Sequence, residues 1–199
     1  MVSAAWGVIT GDWSIALPVG VFLELFWLDL FPAGTYIPPN AILTLLLTCT
    51  AAAQLNLHTP AAIAFPLLLS LPAAFLGSHV EQLLRKRHDS SYNSALHWGR
   101  QPNREDTPLK RIVLRSLAVQ FCAQFALFIA LLLVLDITMA LAGSFIATVL
   151  HDSRIGWSHL WFLAGVGGVL ALRIRAAYVA YGISATAALA FGLLRPLVG

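Results

Sequence analysis

The sequence predicts an all-α integral membrane protein that is polytopic, with short broken or re-entrant helical hairpins. Of its 199 residues, 59% are hydrophobic and only 11% are charged, which is about half the charged fraction of soluble domains. The mean hydropathy is correspondingly high, at +0.80. The length fits one polytopic membrane domain that covers residues 1–199.

Seven apolar segments follow one another along the chain, and their lengths decide how each can lie in a bilayer. A full helical crossing needs about 20 apolar residues, and the fourth segment, with 24, is the best single span. Three segments have only thirteen or fourteen residues, which favours re-entrant or broken helices packed against protein or a water-filled cavity. Short, interrupted segments are also typical of a transporter's binding site. The segments are 13–32, 41–53, 60–77, 112–135, 137–150, 160–172 and 176–194.

Prolines and charged residues mark the irregularities of these segments. The third segment carries Pro60, Pro66 and Pro72, which predict kinks that let helices pack, with a moving hinge as the alternative. Asp136 separates the fourth segment from the fifth, and Arg173 and Arg175 separate the sixth from the seventh.

A basic stretch at residues 78–111 lies between the third and fourth segments. Eight of the twelve Lys and Arg residues fall between Arg85 and Arg115. An excess of basic residues next to membrane segments is typical of cytoplasmic loops. We therefore expect a cytoplasmic loop here, within a multi-pass membrane protein. No basic surface with regularly interleaved aromatic residues appears, and the neighbouring segments are apolar, so no nucleic-acid surface is predicted.

Glu24 is the first candidate site residue. It lies within the apolar run GVFLELFWL, and a carboxylate at membrane depth normally faces a bundle interior or an aqueous cavity and has a partner. Gly20 precedes it by one helical turn and would allow close approach of a backbone or a ligand. A structural polar contact between helices is the alternative. Asp29 is about 140° around the helix from Glu24 and is interpreted as a solvated interfacial residue.

The second candidate is Asn40, which follows Pro38 and Pro39. The prolines would end one helix, and Asn40 is a suitable N-cap for the run that begins at Ala41. Capping alone would explain the residue. At membrane depth, however, the same break presents an amide and free backbone N–H groups to a cavity. Such donors and acceptors suit a hydroxyl-rich ligand.

Asp12 follows Gly11, and the pair Gly7/Gly11 has the spacing of close helix packing, with Asp12 at a helix terminus. The histidines have no ligand spacing on a common helix face, so no metal is predicted. Neither a hydrolytic triad nor a phosphate-binding glycine loop is legible, and no cofactor is predicted. Cys49 and Cys122 both lie in apolar runs and are interpreted as reduced, packed thiols.

The stretch GVITGDWSIALPVGVFLELFWLDLFPAGTYIPPNAIL resembles the signature region of a known family. That family is the membrane subunit IIC of the mannose–fructose–sorbose class of bacterial sugar phosphotransferase systems. The likeness extends through Pro66 and Pro72 into the basic stretch and resumes weakly at residues 174–182, so it covers most of the chain. The matching positions are Gly7, Gly11, Asp12, Gly20, Glu24, Leu25, Gly34, Pro39 and Asn40.

This resemblance implies a multi-pass sugar permease subunit of the bacterial inner membrane that binds a hexose-type sugar at mid-membrane and moves it inward. It implies a IID-like membrane partner, a homo-oligomer, and cytoplasmic IIA and IIB phosphocarriers that pass a phosphoryl group from phosphoenolpyruvate to the sugar. The IIC chain would then be no enzyme by itself. By position, Glu24 and Asn40 would contact the sugar or shape its pocket, with Asp12 and Gly34 nearby in the motif.

The chain also departs from the family pattern. Family members carry about one further apolar segment before the Gly-Asp motif, so an apparently shortened N-terminus is expected, and the basic stretch reads SALHWGRQPN where the family has a His-Ala-Asp-Lys-like sequence. These departures motivate an alternative function: a non-transporting structural or regulatory paralogue that keeps the fold and binds a IID-like partner. A membrane enzyme would rest only on the intramembrane carboxylates.

Overall fold

The computed structural model of the chain describes residues 2–28, 30, 37–99, 107–150, 155–171, 179 and 182–183. The described part is helical and contains no strand, in agreement with the predicted all-α class. The helices are α1 (Val2–Thr10), α2 (Trp13–Phe26), α3 (Ala41–Gln54), α4 (Pro60–Gly99), α5 (Thr107–Leu150) and α6 (Trp157–Ala171). They divide between two compact units.

The first unit comprises Met1–Phe31 and Arg154–Gly199 and contains α1, α2 and α6. Gly11 joins α1 to α2 with a φ of +81°, a left-handed conformation that costs other residues about 1–2 kcal/mol. The indole of Trp13 then lies on Gly7, where a Cβ would be only 2.8 Å from the Trp13 ring. Gly7 therefore serves close packing, as its spacing predicted, whereas Gly11 serves the turn.

Helix α6 packs against α2 through one hydrogen bond and one close backbone approach. The indole Nε1 of Trp161 donates to the carbonyl oxygen of Pro18 at 3.0 Å. Further along, a Cβ on Gly168 would collide with the carbonyl oxygen of Leu25. Only glycine lets the two backbones meet there, and this contact fixes the end of α2 that carries Glu24.

The second unit, Pro32–Ser153, packs α3, α4 and α5 together. Apolar residues spaced by three or four positions line one face of each helix, which is the spacing that a packed helix requires. Its core consists of Leu43, Leu47, Ala51, Ala73, Leu132, Leu135 and Met139. Between α3 and α4 the chain turns at Asn56, whose φ is 51°.

Two long helices of this unit meet the criteria of a membrane span. Pro60–Arg87 in α4 and Val113–Gly143 in α5 are long and apolar enough to cross a bilayer. Only 17% of the most apolar window of α5 is buried, against 56% for α4. Most of the apolar surface of α5 is therefore left for lipid or a partner. Helices α2 and α3, with 14 residues each, rise about 21 Å and are too short to cross alone.

The structure differs from two sequence-based expectations. The basic stretch expected to be a loop continues α4 as helix to Gly99, and α5 already begins at Thr107. The strong helix formers of residues 81–87 extend the helix past the last apolar turn, and Arg85 pairs with Glu81 one turn earlier. Residues 88–99 contain mostly weaker helix formers, so helix propensity does not explain the last part of α4. Asp136 does not end a helix either, because α5 continues through it to Leu150. The predicted segment 176–194 lies almost entirely outside the described residues.

The turn at Gly11 yields a stability prediction. Gly11→Ala should lower the free energy of unfolding by about 1 kcal/mol, because alanine resists a positive φ. The measurement is equilibrium unfolding of the purified chain in mixed micelles. Gly165→Ala in α6, where a Cβ would meet nothing within 4 Å, is the matched control and should leave stability unchanged or slightly higher. Equal losses in both variants would contradict the role of Gly11.

Candidate functional site

The break before α3 is built as its local sequence predicts. Pro39 is buried and Pro38 is half-buried, and both lack the backbone N–H that a continuing helix would need. Asn40 is the N-cap of α3, and its side-chain Oδ1 accepts a hydrogen bond from the Leu43 N–H at 3.1 Å. The predicted capping role of Asn40 is therefore confirmed.

Asn40 also ties the start of α3 to α4. Its backbone N–H donates to the carbonyl oxygen of Ala74 at 2.9 Å. The side chain packs onto Gly77, where a Cβ would lie 2.9 Å from the Asn40 Cβ and 2.9 Å from the Leu43 Cδ2. The position of the Asn40 amide thus depends on a glycine 37 positions away in the sequence.

The amide nitrogen of Asn40 is the chemically open part of this site. Capping occupies the Oδ1 oxygen, and no described group accepts a hydrogen bond from Nδ2. An amide NH₂ carries two donors, and the residue is only half-buried. The site therefore offers two N–H donors that are held in place by the cap and by Gly77.

Buried hydroxyl groups extend the contact between α3 and α4 further along α3 from Asn40. The Thr44 Oγ1 donates to the Ser70 carbonyl oxygen at 3.3 Å, and the Thr48 and Ser70 hydroxyls lie 2.8 Å apart. Thr48 Oγ1 also reaches the Thr44 carbonyl oxygen at 2.9 Å, and Ser70 Oγ the Leu67 carbonyl oxygen at 2.8 Å. All three hydroxyl residues are at most 2% exposed, so they join helices rather than face a ligand.

A cavity of about 250 Å³ lies beside these hydroxyl residues, among α3, α4 and α5. Its polar side chains are Ser70 and Thr138, and the remaining lining is apolar. Thr138 Oγ1 already donates to the Val134 carbonyl oxygen at 2.7 Å. The apolar lining is Leu47, Leu69, Pro72, Ala73, Leu76, Leu131, Val134 and Leu135. Such a wall offers few partners to a polyol, so this cavity does not by itself make a sugar site.

In the first unit, Asp12 stands at the N-cap position of α2 without capping it. Its side chain makes no cap hydrogen bond, and it is half-buried. Its backbone N–H donates to the Thr10 Oγ1 at 3.3 Å, and that hydroxyl donates to the Trp6 carbonyl oxygen at 2.9 Å. The turn thus fixes the backbone of Asp12, but the Asp12 carboxylate does not cap α2.

Glu24 lies near the end of α2, outside its buried face. Gly20, one turn earlier, is buried, whereas Glu24 is exposed within its unit. No described residue forms a hydrogen bond or an ion pair with its carboxylate. The contact between Gly168 and Leu25 holds the backbone beside it. Among the described residues of its own unit, Glu24 has no structural partner.

The sequence-predicted site residues belong to different compact units. Asp12 and Glu24 belong to the first unit, and Asn40 belongs to the second. Gly34 and Asp29 lie outside the described residues. Sequence reasoning missed Gly77 and the hydroxyls of Thr44, Thr48 and Ser70. Glycine and hydroxyl residues in an apolar run were the available signal, but their partners lie on another helix.

The described residues contain no group of three or more His, Cys, Asp or Glu side chains that could hold a metal ion. Cys49 is buried in α3, Cys122 is exposed on α5, and no disulfide joins them.

The glycine under Asn40 yields a second prediction. Gly77→Ala should push the start of α3 away from α4 and cost about 1–3 kcal/mol, as overpacking of a close contact does. Unfolding in mixed micelles would measure the loss. The matched control, Gly143→Ala on α5 of the same unit, places its Cβ within 4 Å of nothing and should be neutral. A neutral Gly77→Ala would refute the close contact.

Comparison with known proteins adds a family to this geometry. A family model described as the sorbose-specific IIC component of the phosphotransferase system matches residues 1–172, which include every candidate site residue. No curated protein and no solved structure matches the chain. The match spans both compact units. The chain therefore belongs to the sorbose-specific IIC family of sugar permease components, the membrane subunits of mannose–fructose–sorbose phosphotransferase systems.

Proposed function

We propose that this chain is the permease subunit that binds a hexose-type sugar and carries it across the inner membrane. The observation that carries the proposal is the family match over residues 1–172, which includes the polar helix start at Asn40. Sorbose, which the family's description names, is itself a hexose. The two long apolar helices support a place in the membrane.

Asn40 is the first proposed sugar-binding group. Sugar hydroxyls both donate and accept hydrogen bonds, and the Asn40 amide retains two N–H donors after capping α3. Those donors lie at the start of α3, a short apolar helix. Few water molecules are available in apolar surroundings to pair with an N–H donor that loses its partner. A hydrogen bond made there with a sugar oxygen contributes specificity, because a ligand without the hydroxyl leaves the amide unpaired.

Glu24 is proposed separately as an acceptor for sugar hydroxyls. An ionised carboxylate accepts hydrogen bonds at both oxygens, and charge-assisted bonds of this kind are about twice as strong as neutral ones. Its exposure within its unit, without a described partner, supports a role toward a ligand. Asp12, which is half-buried, resembles it in having a carboxylate that makes no cap hydrogen bond.

We further propose that the chain works with a IID-like membrane subunit and with IIA and IIB phosphocarriers, and that it forms homo-oligomers. In this scheme phosphoryl transfer belongs to the partner subunits, and the chain itself is not the enzyme. The exposed apolar surface of α5 supports a partner within the membrane, because only 17% of its most apolar window is buried. A paralogue without transport activity is the competing function, and sugar binding distinguishes the two.

The Asn40 proposal can be tested by separating capping from sugar contact. Asn40→Asp keeps an oxygen that caps α3 but removes both N–H donors. We expect sugar uptake in cells with the partner subunits to fall about tenfold, as the loss of about one hydrogen bond implies. Asn40→Ala should lose both functions and also unfold more easily. Uptake of labelled sugar and unfolding in micelles are the two measurements.

Full uptake by Asn40→Asp, together with a loss in Asn40→Ala, would leave Asn40 only its capping role. Sugar binding to the purified wild-type complex, measured by calorimetry, tests the function itself. A wild-type complex that binds a partner subunit but none of the hexoses would favour the non-transporting paralogue.

The Glu24 proposal has an acidic control within the chain. Glu24→Gln is nearly isosteric and should lower uptake at least tenfold while leaving membrane insertion intact, since a charge-assisted bond is worth about 1.5–3 kcal/mol. Glu81→Gln also removes one carboxylate, but Glu81 pairs with Arg85 at 2.6 Å on the surface of α4. That control should transport normally. Unchanged uptake in Glu24→Gln would remove Glu24 from the site.

A further inference from the structure

The basic run on α4 contains one neutralised cation and two unpartnered ones. The Arg85 guanidinium donates to Glu81 Oε1 from Nη2 at 2.6 Å and from Nε at 3.1 Å. Lys86 and Arg87 are exposed, and no described carboxylate pairs with either. Arg85 is therefore already paired with a carboxylate, whereas Lys86 and Arg87 can bind an anionic ligand.

Lys86 and Arg87 line a cavity of about 470 Å³ between α4 and α5. Val80, Leu83 and Leu84 form its apolar wall on α4, and Ala123 closes it from α5. The positions 80, 83, 84 and 87 repeat at three and four residues, so they share one face of the helix. Arg85 points about 150° away from the centre of that face at 100° per residue and does not line the cavity.

This cavity lies where the apolar span of α4 ends. The span of α4 is Pro60–Arg87, whereas Ala123, which lines the cavity from α5, lies ten residues after the start of the α5 span at Val113. Leu83, on the membrane side of the two cations, is 49% exposed. Lys110, Arg111 and Arg115 nearer the start of α5 are exposed as well, but they do not line the cavity. Among the side chains described between residues 79 and 115, six are Lys or Arg and Glu81 is the one acid.

We propose that this cavity binds an anionic phospholipid, with the headgroup phosphate held by Lys86 and Arg87 and an acyl chain lying on Leu83 and Val80. The two cations supply a negative-charge preference, because guanidinium and ammonium groups form strong hydrogen bonds to phosphate. Basic pockets at the cytoplasmic ends of membrane helices bind anionic headgroups by the same physics. The apolar wall favours a lipid over a soluble anion, since a free phosphate would leave Leu83 uncovered.

Titration of the purified full-length chain with single lipids tests this proposal. The probes are phosphatidylglycerol and phosphatidylcholine with matched acyl chains, and native mass spectrometry of the detergent-solubilised protein counts the bound lipid. Lys86→Gln and Arg87→Gln should each weaken phosphatidylglycerol binding about fivefold, and the double variant about 25-fold, from the contribution of each cation near a membrane surface. Phosphatidylcholine binding should not change.

Arg85→Gln is the matched control, because it removes the same charge from the adjacent position on the opposite face. It should change phosphatidylglycerol affinity less than twofold. Leu83→Asn should weaken phosphatidylglycerol binding, and millimolar inorganic phosphate should not displace the lipid. Helical content by circular dichroism verifies that each variant is folded.

Four results would overturn the proposal. Equal affinity for the two lipids, or an Arg85→Gln effect as large as that of Arg87→Gln, would reduce the cluster to a general surface charge. Displacement by inorganic phosphate with no effect of Leu83→Asn would identify an anion site without a lipid. Retention of an acidic soluble protein that depends on Arg87, without lipid selectivity, would identify a protein interface.

Discussion

The start of α3 depends on one close contact, the approach of Asn40 to Gly77 of α4. A helix that begins in apolar surroundings leaves its first N–H groups without water to satisfy them. Asn40 supplies an acceptor for the Leu43 N–H through Oδ1 and passes its own N–H to the Ala74 carbonyl oxygen. The cap bond is local to the start of α3, whereas the bond to Ala74 requires the two helices to approach within the space of a missing Cβ, which Gly77 provides.

The rest of the second unit is arranged around this contact. Thr44, Thr48 and Ser70 extend the pairing of α3 with α4 through buried hydroxyls. Two of these hydroxyls, on Thr48 and Ser70, share three hydrogen bonds but carry one proton each, so at most two of the bonds are donated at any moment. Helix α5 is added by apolar packing alone in the core, through Leu132, Leu135 and Met139. The polar pairing fixes α3 on α4, whereas α5 is held by contacts that are less directional.

The sequence allowed the short helices and the cap to be predicted, because their signals are local. Asn40 caps the run at Ala41 by chemistry that is contained in five residues. The long helices were divided wrongly, since hydropathy changes at Ser78 and Asp136 but the helix does not. Helix formation follows backbone hydrogen bonding and propensity, and a membrane boundary need not end it. The role of Gly77 could not be predicted from its local sequence, because Gly77 makes room for the Asn40 side chain, which belongs to another helix.

Polar groups in this chain are sorted by the cost of burying them. The buried polar residues are threonines and serines, which are neutral and satisfy one another or a carbonyl oxygen. The charged groups that the structure describes are exposed or half-buried: Arg85 pairs with Glu81 on the surface of α4, and Asp12 and Glu24 lie near the two ends of α2. An unpaired charge inside would destabilise the fold by several kcal/mol. Stability is thus served by the hydroxyls, whereas the carboxylates of Asp12 and Glu24 have no partner among the described residues.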